Sequence, residues 1–199
     1  MISTKLSTPP IILASGSKYR QTLLQKLAID FETASPSIDE SPKSQEPPAQ
    51  LAVRLGQQKA QALKSRYPKH LIIGSDQVAY FDGCYLEKPG TRDRAIRQLH
   101  SVSGRQVEFF TSICVLNSTT GEYLSDLDTT TVLFKPLTSA QIESYLDRDE
   151  PYDCAGSFKA ESLGIALFEK INSEDPNALI GLPLIKLIKL LAHFNVNIL

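Results

Sequence analysis

Two long stretches of alternating apolar and polar residues constrain the fold of this chain more than any other feature. They cover residues 107–116 and 123–134, and the polar segment 117–122 joins them. A period of two is typical of half-buried strands, and a short polar link between two such strands predicts an antiparallel hairpin. Further strands are predicted at 11–14, 71–81 and 165–169, and helices at 19–27, 49–65, 91–100, 139–146 and after Pro183. The alternation predicts an α/β protein with a mixed sheet.

Composition and charge exclude several classes of protein. The 199 residues carry 21 Lys and Arg against 22 Asp and Glu, so the formal net charge is −1. This balance leaves no general basic field to hold nucleic acid. The three cysteines, Cys84, Cys114 and Cys154, lie far apart. We therefore expect reduced thiols and neither a disulfide framework nor a zinc knuckle.

The chain shows no recognisable targeting or membrane segment. No stretch near the N-terminus combines a basic start, a long apolar run and a cleavage site. The longest apolar stretch is interrupted by Lys186 and Lys189, and it is too short and too charged to span a bilayer. We expect one cytoplasmic domain over residues 1–199, with no membrane partner.

The N-terminal stretch IILASGSKYRQTLL predicts a strand, a turn of small residues and a helix. Ser15 and Ser17 lie in the turn, and Lys18, Tyr19 and Arg20 begin the helix. Such a turn presents backbone N–H groups and a helix dipole to an anion. The spacing does not match a Walker loop. The S-x-x-K of Ser15 and Lys18 lacks the companion motifs of penicillin-binding enzymes, so we interpret it as coincidence.

Two charged residues stand where apolar residues are expected. Asp76 interrupts the predicted strand 71–81 and shares a face with Ile72 and Val78. It is either a buried carboxylate satisfied by backbone donors or a general base or metal ligand. Lys59 lies on the apolar stripe of its helix, between Leu55 and Leu63. It either extends to solvent at the edge of the stripe or points into a cleft.

Lys88 and Glu40 are unremarkable when each is taken alone. Lys88 precedes a Pro-Gly turn, and Glu40 lies in the Pro-rich loop 36–48. Together with the N-terminal turn, Arg20, Lys59 and Asp76, they form a set of cations and carboxylates. Phosphate oxygens need cations and N–H donors, whereas carboxylates are useful there only to hold a metal or to deprotonate water. The set predicts metal-assisted hydrolysis of a phosphoanhydride.

Several ordered motifs carry a resemblance to a known family. They are LASGSKYRQTLL (13–24), IDE (38–40), QKA (58–60), GSDQV (74–78), EKP (87–89) and CAGSFKAESLG (154–164). In this order they resemble the Maf family of nucleotide pyrophosphatases over essentially the whole chain. The resemblance implies an elongated mixed sheet flanked by helices, with two lobes around an active-site cleft. It also implies cleavage of nucleoside triphosphates to monophosphate and pyrophosphate with a divalent cation (magnesium, manganese or cobalt).

The resemblance also assigns roles to residues. Asp76 matches the catalytic aspartate, described as the proton acceptor, and Glu40 matches an acidic position near the metal. The phosphate-contacting positions correspond to Ser15, Arg20, Lys59 and Lys88. The chain departs from the common S-P-R-R-x-E of the first motif at Lys18, Tyr19 and Thr22.

Three positions resemble the 7-methyl-GTP pyrophosphatase subgroup of that family: Tyr19, Gln77 and Glu161. Guanine offers two neighbouring donors, which a carboxylate such as Glu161 can accept together. Methylation at N7 places positive charge on the ring, and an aromatic face such as that of Tyr19 attracts this charge by about 0.5–2 kcal/mol. The alternative is that Tyr19 only packs and Glu161 faces solvent.

Other functions stay open at this point. The nearest alternative is the same reaction with dTTP, UTP or CTP as the substrate. Another is a nucleotide-sensing regulator of cell division without catalysis, although a sensor does not need the base Asp76. An RNA-binding module lacks the necessary basic field. The resemblance is compatible with a homodimer.

Overall fold

The computed structural model describes residues 9–199 and contains, within that range, eight strands and five α-helices. The strands are β1 (Ile11–Leu13), β2 (Phe31–Thr33), β3 (Leu71–Gly74), β4 (Gln77–Phe81), β5 (Cys84–Tyr85), β6 (Gln106–Asn117), β7 (Tyr123–Phe134) and β8 (Phe168–Asn172). The helices are α1 (Lys18–Gln25), α2 (Pro48–Ala62), α3 (Arg92–Val102), α4 (Ser139–Asp149) and α5 (Leu184–His193).

The predicted hairpin forms the centre of the sheet. Strands β6 and β7 pair antiparallel along almost their whole length, from Gln106↔Leu133 to Leu116↔Tyr123. The other edge of β6 pairs first with β4 and then with β3, both antiparallel. Strand β1 lies parallel to β2 and to β3. The sheet is therefore mixed, as the sequence predicted.

The predicted strand 71–81 is interrupted at Ser75 and Asp76. Strand β3 ends with Gly74 opposite Cys114, and β4 starts with Gln77 opposite Thr111. Ile72 and Val78 still belong to apolar clusters that include residues of α2. The predicted shared face therefore persists across the break, and Asp76 lies on it without being part of a regular strand.

Two apolar clusters occupy the two ends of the long hairpin. One contains Phe109 and Phe134 and is covered by α3 and α4. The other contains Ile73 and Ile113 and is covered by α1 and α5. The break between β3 and β4 lies between these two clusters, so the side chains that project from it face a cleft between two lobes.

The predicted strand 165–169 begins later than expected. Leu163–Leu167 forms a 3-10 turn, and β8 starts at Phe168. The reason is tertiary, because β7 accepts β8 only from Phe168 opposite Phe134 onward. Ile165 is left exposed on the turn. The apolar pattern of residues 165–169 could not reveal where the neighbouring strand ends.

Within residues 9–199, no helix has the length and apolar character needed to cross a membrane. The expectation that no signal peptide is present concerns residues 1–8 as well, and these lie outside the described residues.

Candidate active site

One cavity of about 860 Å³ brings the predicted site residues together. Its walls come from the β1–α1 turn, the loop before α2, α2 itself, the β3–β4 break, the segment after β5, and two late loops. All of the residues singled out from the sequence line it: Ser15, Tyr19, Arg20, Glu40, Lys59, Asp76, Gln77, Lys88 and Glu161. Segments far apart in sequence therefore meet in one cleft, while the role of each side chain stays a prediction.

Lys59 joins the two carboxylates predicted to hold a metal. Its Nζ lies 2.5 Å from Asp76 Oδ1 and 2.9 Å from Glu40 Oε1. The side chains of Lys59 and Asp76 are 8% and 9% exposed, whereas that of Glu40 is 57% exposed. Lysine is rarely buried unless it is paired. The sequence left two interpretations of Lys59, and the structure supports the one in which its ammonium points into a cleft.

Two glycines allow α2 to approach the break closely. A methyl group on Gly74 would collide with the carbonyl oxygen of Gly56 and lie 2.8 Å from the amide nitrogen of Ala60. A methyl group on Gly56 would collide with Ser112 Oγ. The two backbones are therefore almost in contact, and Lys59, on the next turn of α2, reaches Asp76.

Ser112 holds the backbone of Asp76 in place where the strand ladder is interrupted. The amide of Asp76 donates to Ser112 Oγ at 3.1 Å. The amide and the hydroxyl of Ser112 both donate to the carbonyl oxygen of Asp76, at 2.8 and 3.3 Å. These bonds replace the missing ladder bonds and fix the direction in which the carboxylate projects.

The N-terminal turn has the form expected for an anion site. Ser17 caps α1 by accepting from the amide of Arg20 at 3.4 Å, and the amide of Ser17 donates to Ser15 Oγ at 3.1 Å. The Nε of Arg20 donates to the carbonyl oxygen of Gly181 at 2.8 Å, and Ser75 Oγ donates to the same oxygen at 3.0 Å. This contact fixes the guanidinium on the cavity wall.

The charge of Arg20 is balanced by its surroundings. Burial lowers the pKa of Arg20 from its ordinary value, and the carboxylates of Asp76 and Glu40 oppose that shift. A guanidinium is not deprotonated in proteins at neutral pH, and the two carboxylates favour its charged form. Arg20 is therefore a fixed cation facing the two carboxylates.

Tyr19 and Glu161 lie in a second group of side chains at the same cavity. The Tyr19 hydroxyl is 3.5 Å from both carboxylate oxygens of Asp153. Burial, with smaller contributions from Cys154, Asp153 and Glu161, raises the pKa of Tyr19. Glu161 is exposed, but partial desolvation at the cavity wall raises its pKa, and burial raises the pKa of Cys154 to about 12. Cys154 is thus a neutral thiol at pH 7, and this group combines an aromatic ring with carboxylates.

Gln77 and Lys88 differ in how firmly they are held. Nε2 of Gln77 lies within donating distance of Thr111 Oγ1 and of the carbonyl oxygens of Ala178 and Leu179, at 2.9–3.0 Å. Its amide nitrogen therefore secures a loop that lines the cavity. Lys88 is exposed, and among residues 9–199 it makes no ion pair.

The carboxylates suit a cation that is completed by substrate. Asp76 and Glu40 converge on one Nζ, so their oxygens lie close together. Within residues 9–199, no group of three or more His, Cys, Asp and Glu side chains could hold a metal ion. Magnesium and similar cations are commonly bound by one or two carboxylates together with substrate phosphates and water. The two carboxylates fit such a site.

Comparison with known proteins identifies the family. The family model described as Maf-like protein matches residues 10–194. The chain belongs to the Maf family. The resemblance carried by the sequence motifs is therefore confirmed over nearly the whole length of the chain.

Three relatives of this Maf protein carry the name 7-methyl-GTP pyrophosphatase. The one from Pseudoalteromonas translucida is 52% identical over 190 residues, which is 96% of this chain and 94% of the relative. The one from Methylobacillus flagellatus is 50% identical and covers 96% and 99%. The one from Vibrio vulnificus is 51% identical and covers 95% and 97%.

Several residues that shape the Maf site were not predicted from the sequence. Gly56 and Ser112 position Lys59 and Asp76, and Gly181 supplies the carbonyl that orients Arg20. A glycine inside a helical pattern signals close backbone approach, and Gly56 could have been noticed on that ground. Ser112 contacts the backbone of Asp76 through its hydroxyl and its amide, and Gly181 contacts Arg20 through its carbonyl oxygen. Contacts of this kind leave no pattern in the sequence.

Proposed function

We propose that this Maf protein hydrolyses 7-methyl-GTP to 7-methyl-GMP and pyrophosphate, as a housecleaning activity against modified nucleotides. One observation carries the proposal: a single cavity combines Arg20, Lys59, Asp76 and Glu40 with the aromatic and acidic group around Tyr19. The cations and carboxylates suit the binding and cleavage of a triphosphate, and the aromatic and acidic group around Tyr19 suits a positively charged purine. Relatives about half identical to this chain are named for this reaction.

The cations of the cavity would bind the triphosphate. The N-terminal turn and Arg20 offer backbone and guanidinium donors, and an ammonium such as that of Lys59 carries three N–H donors. Its contacts with Glu40 and Asp76 leave at least one donor of Lys59 for a phosphate oxygen. Lys88 adds a further cation at the wall. These groups stabilise negative charge as it moves to the leaving pyrophosphate.

Asp76 would act on the attacking water. Its carboxylate is rigidly held by Lys59 and by the backbone contacts with Ser112, and it faces the cavity. It would accept a proton from water as the water oxygen bonds to the α-phosphorus, while the bond from that phosphorus to the oxygen bridging to the β-phosphate breaks and pyrophosphate leaves. Glu40 and Asp76 would hold a divalent cation, which would supply charge neutralisation at the phosphate oxygens.

The second group would recognise the base. The hydroxyl of Tyr19 lies 3.5 Å from Asp153, and Glu161 lines the same cavity and adds to the raised pKa of Tyr19, so the surroundings of Tyr19 are acidic. An aromatic face near carboxylates attracts the positive charge of an N7-methylated guanine. Glu161 in its ionised form accepts from the two neighbouring donors of guanine.

We also propose that the protein works in the cytoplasm, because its cysteines are unpaired and reduced thiols are typical of that compartment. A homodimer is proposed on the family resemblance alone.

A nucleotide panel tests the proposed reaction. Pyrophosphate release is measured with magnesium, manganese or cobalt on 7-methyl-GTP, GTP, UTP, dTTP and CTP. We expect the highest kcat/KM with 7-methyl-GTP, and a loss of about 100-fold or more for Asp76→Asn. Asp82→Asn is the matched control, because Asp82 is exposed and lies outside the cavity.

The other outcomes are equally informative. A preference for UTP, dTTP or CTP would keep the reaction and discard the base assignment. Binding of nucleotides without turnover would favour the sensor function. Full activity of Asp76→Asn would refute the role of Asp76.

A further inference from the structure

The loop that carries Glu40 has no regular secondary structure of its own. Between β2 and α2, residues 34–47 form neither helix nor strand. Glu40 is the more exposed of the two carboxylates that meet at Lys59. A carboxylate on such a loop loses considerable conformational freedom when it is fixed in one position. Other contacts must therefore hold the loop against α2.

Arg54 of α2 makes those contacts through its whole guanidinium. Its Nε lies 2.7 Å from Glu46 Oε1, and its Nη2 lies 2.7 Å from Glu46 Oε2, so the pair is bidentate. The same Nη2 donates to the carbonyl oxygen of Ser41 at 3.0 Å. Nη1 donates to Gln58 Oε1 at 2.9 Å, which fixes the guanidinium on its own helix.

The pair is largely shielded from solvent. The side chains of Arg54 and Glu46 are 17% and 8% exposed. The hydrogen bonds from Arg54 lower the pKa of Glu46 to about 2. Exposed ion pairs contribute little, whereas a shielded bidentate pair has defined geometry and persists. Glu46 is thus a stable anchor at neutral pH.

The loop has two further anchors. The hydroxyl of Tyr85 donates to the backbone carbonyl of Glu46 at 2.7 Å. Ile38 packs against the apolar cluster that contains Leu51 and Leu55 of α2. Glu40 lies between these attachment points, and its neighbour Ser41 is bonded directly to Arg54. Consecutive loop residues are therefore tied to α2, one through Lys59 and the other through Arg54.

We propose that Arg54 and Glu46 are positioning residues that hold Glu40 in place for the divalent cation. Neither residue makes a hydrogen bond or an ion pair with Lys59 or Asp76, and both act through the backbone of residues 40–46. The proposal rests on the proposed function for the cation and its substrate. A planar fork is required here, because one guanidinium serves Glu46, Ser41 and Gln58 at once, which an ammonium on a flexible stem does not reproduce.

The test compares Arg54→Gln, Arg54→Lys and Glu46→Gln with wild type. Arg92→Gln is the matched control, because Arg92 forms an exposed pair with Asp147 at 2.8 Å, away from the cavity. Two measurements need no turnover. One is amide hydrogen exchange of residues 36–46 without ligand. The other is Mn²⁺ affinity, measured by electron paramagnetic resonance with an α,β-methylene analogue of 7-methyl-GTP.

We expect Arg54→Gln, Arg54→Lys and Glu46→Gln to exchange faster in residues 36–46 while β6 keeps wild-type protection. Their Mn²⁺ affinity should fall by about 10-fold or more, the usual consequence of removing a group that orients a metal ligand. Activity at saturating Mn²⁺ should stay close to wild type. Arg54→Lys should resemble Arg54→Gln, because a positive charge without the planar guanidinium does not hold the loop.

Unchanged loop exchange or unchanged Mn²⁺ affinity in Arg54→Gln would overturn the proposal. So would faster exchange over the whole chain, since this would indicate a purely structural role. Glu40→Gln provides a further check. Wild-type Mn²⁺ affinity in that variant would show that Glu40 does not bind the cation, and the loop would then have no role in holding it. If wild type hydrolyses no nucleotide, the proposed function fails, whereas the exchange result still decides whether Arg54 and Glu46 hold the loop.

Discussion

At the scale of single residues, Lys59 shows how a buried charge is retained. Removing an ammonium group from water is costly unless it is paired and hydrogen-bonded. Asp76 and Glu40 supply the pairing, and the same contact keeps two carboxylates side by side. Without the ammonium, these carboxylates would repel each other. The contact therefore compensates the buried ammonium and keeps the two carboxylates together in the cavity.

Glu161 gives a prediction on pH at the same scale. Partial desolvation at the cavity wall raises the pKa of this exposed residue above the ordinary value of 4.5, and only the ionised form accepts from both guanine donors. We expect KM for 7-methyl-GTP to rise as pH falls through this raised pKa. Glu161→Gln should have a higher KM at pH 7.5 and a KM that no longer depends on Glu161 ionisation. Steady-state kinetics between pH 5 and 8 checks this, and an unchanged profile in Glu161→Gln would contradict it.

At the scale of elements, the contact between α2 and the β3–β4 break decides the site. Helix α2 packs on β3, β4 and β6 through small residues, among them Ala52, Gly56 and Ala60. Gly74 provides the matching gap on the sheet. The distance between helix and sheet is therefore set by backbone contact, and it determines whether Lys59 reaches Asp76.

Gly74→Ala tests this packing. The added methyl group would meet backbone atoms of Gly56 and Ala60, which cannot move as a side chain does. We expect a loss of about 1–3 kcal/mol in the free energy of unfolding, together with lost turnover in the folded fraction, since α2 must shift. Urea unfolding and activity assays measure the two effects.

Gly83→Ala is the control for this substitution. A methyl group there meets no atom within 4 Å, but the φ of +81° is strained for alanine. This variant should lose about 1 kcal/mol of stability and keep its activity. Full activity in Gly74→Ala would show that the close approach is unnecessary.

At the scale of the whole molecule, one buried carboxylate makes stability depend on pH. Asp128 on β7 is 1% exposed, and its Oδ2 has no hydrogen-bond partner among residues 9–199. Its Oδ1 accepts from Thr130 and Ser173, both at 3.2 Å. Ser173 precedes Asp175, whose carboxylate accepts from the amide of Ile185 in the first turn of α5. Asp128 therefore lies in a network that joins the sheet to the loop leading into the cavity wall.

Burial raises the pKa of Asp128 above its ordinary value of 3.8. A raised folded-state pKa means that this group favours folding most below pH 3.8, and that the contribution is lost as pH rises through the folded-state pKa. At pH 7 this buried carboxyl therefore opposes folding. Asp128→Asn removes the ionisable group, so the change in Tm between pH 4 and pH 7 should become more favourable to the variant than to wild type by about 2–4 °C, whatever the absolute effect of the new amide. Calorimetry at pH 4 and pH 7 checks this, and the same change in Tm in both proteins would contradict it.

The sequence by itself determined the local elements and the types of residue that line the cavity. The hairpin, the helix after the N-terminal turn, and the place of Lys59 on the apolar stripe of α2 follow from periodicity, which acts over a few residues. The charged residues at apolar positions predicted a phosphate site, and Asp76, Lys59 and Glu40 do lie in one cavity.

Only the tertiary structure decided the contacts between distant segments. The bonds of Gln77 to Ala178 and Leu179, the support of Asp76 by Ser112, and the Arg54–Glu46 pair join residues whose types alone do not specify a partner. The start of β8 depends likewise on where β7 offers a free edge. Such contacts are set by how helices and strands pack against one another, and packing is a property of the whole chain.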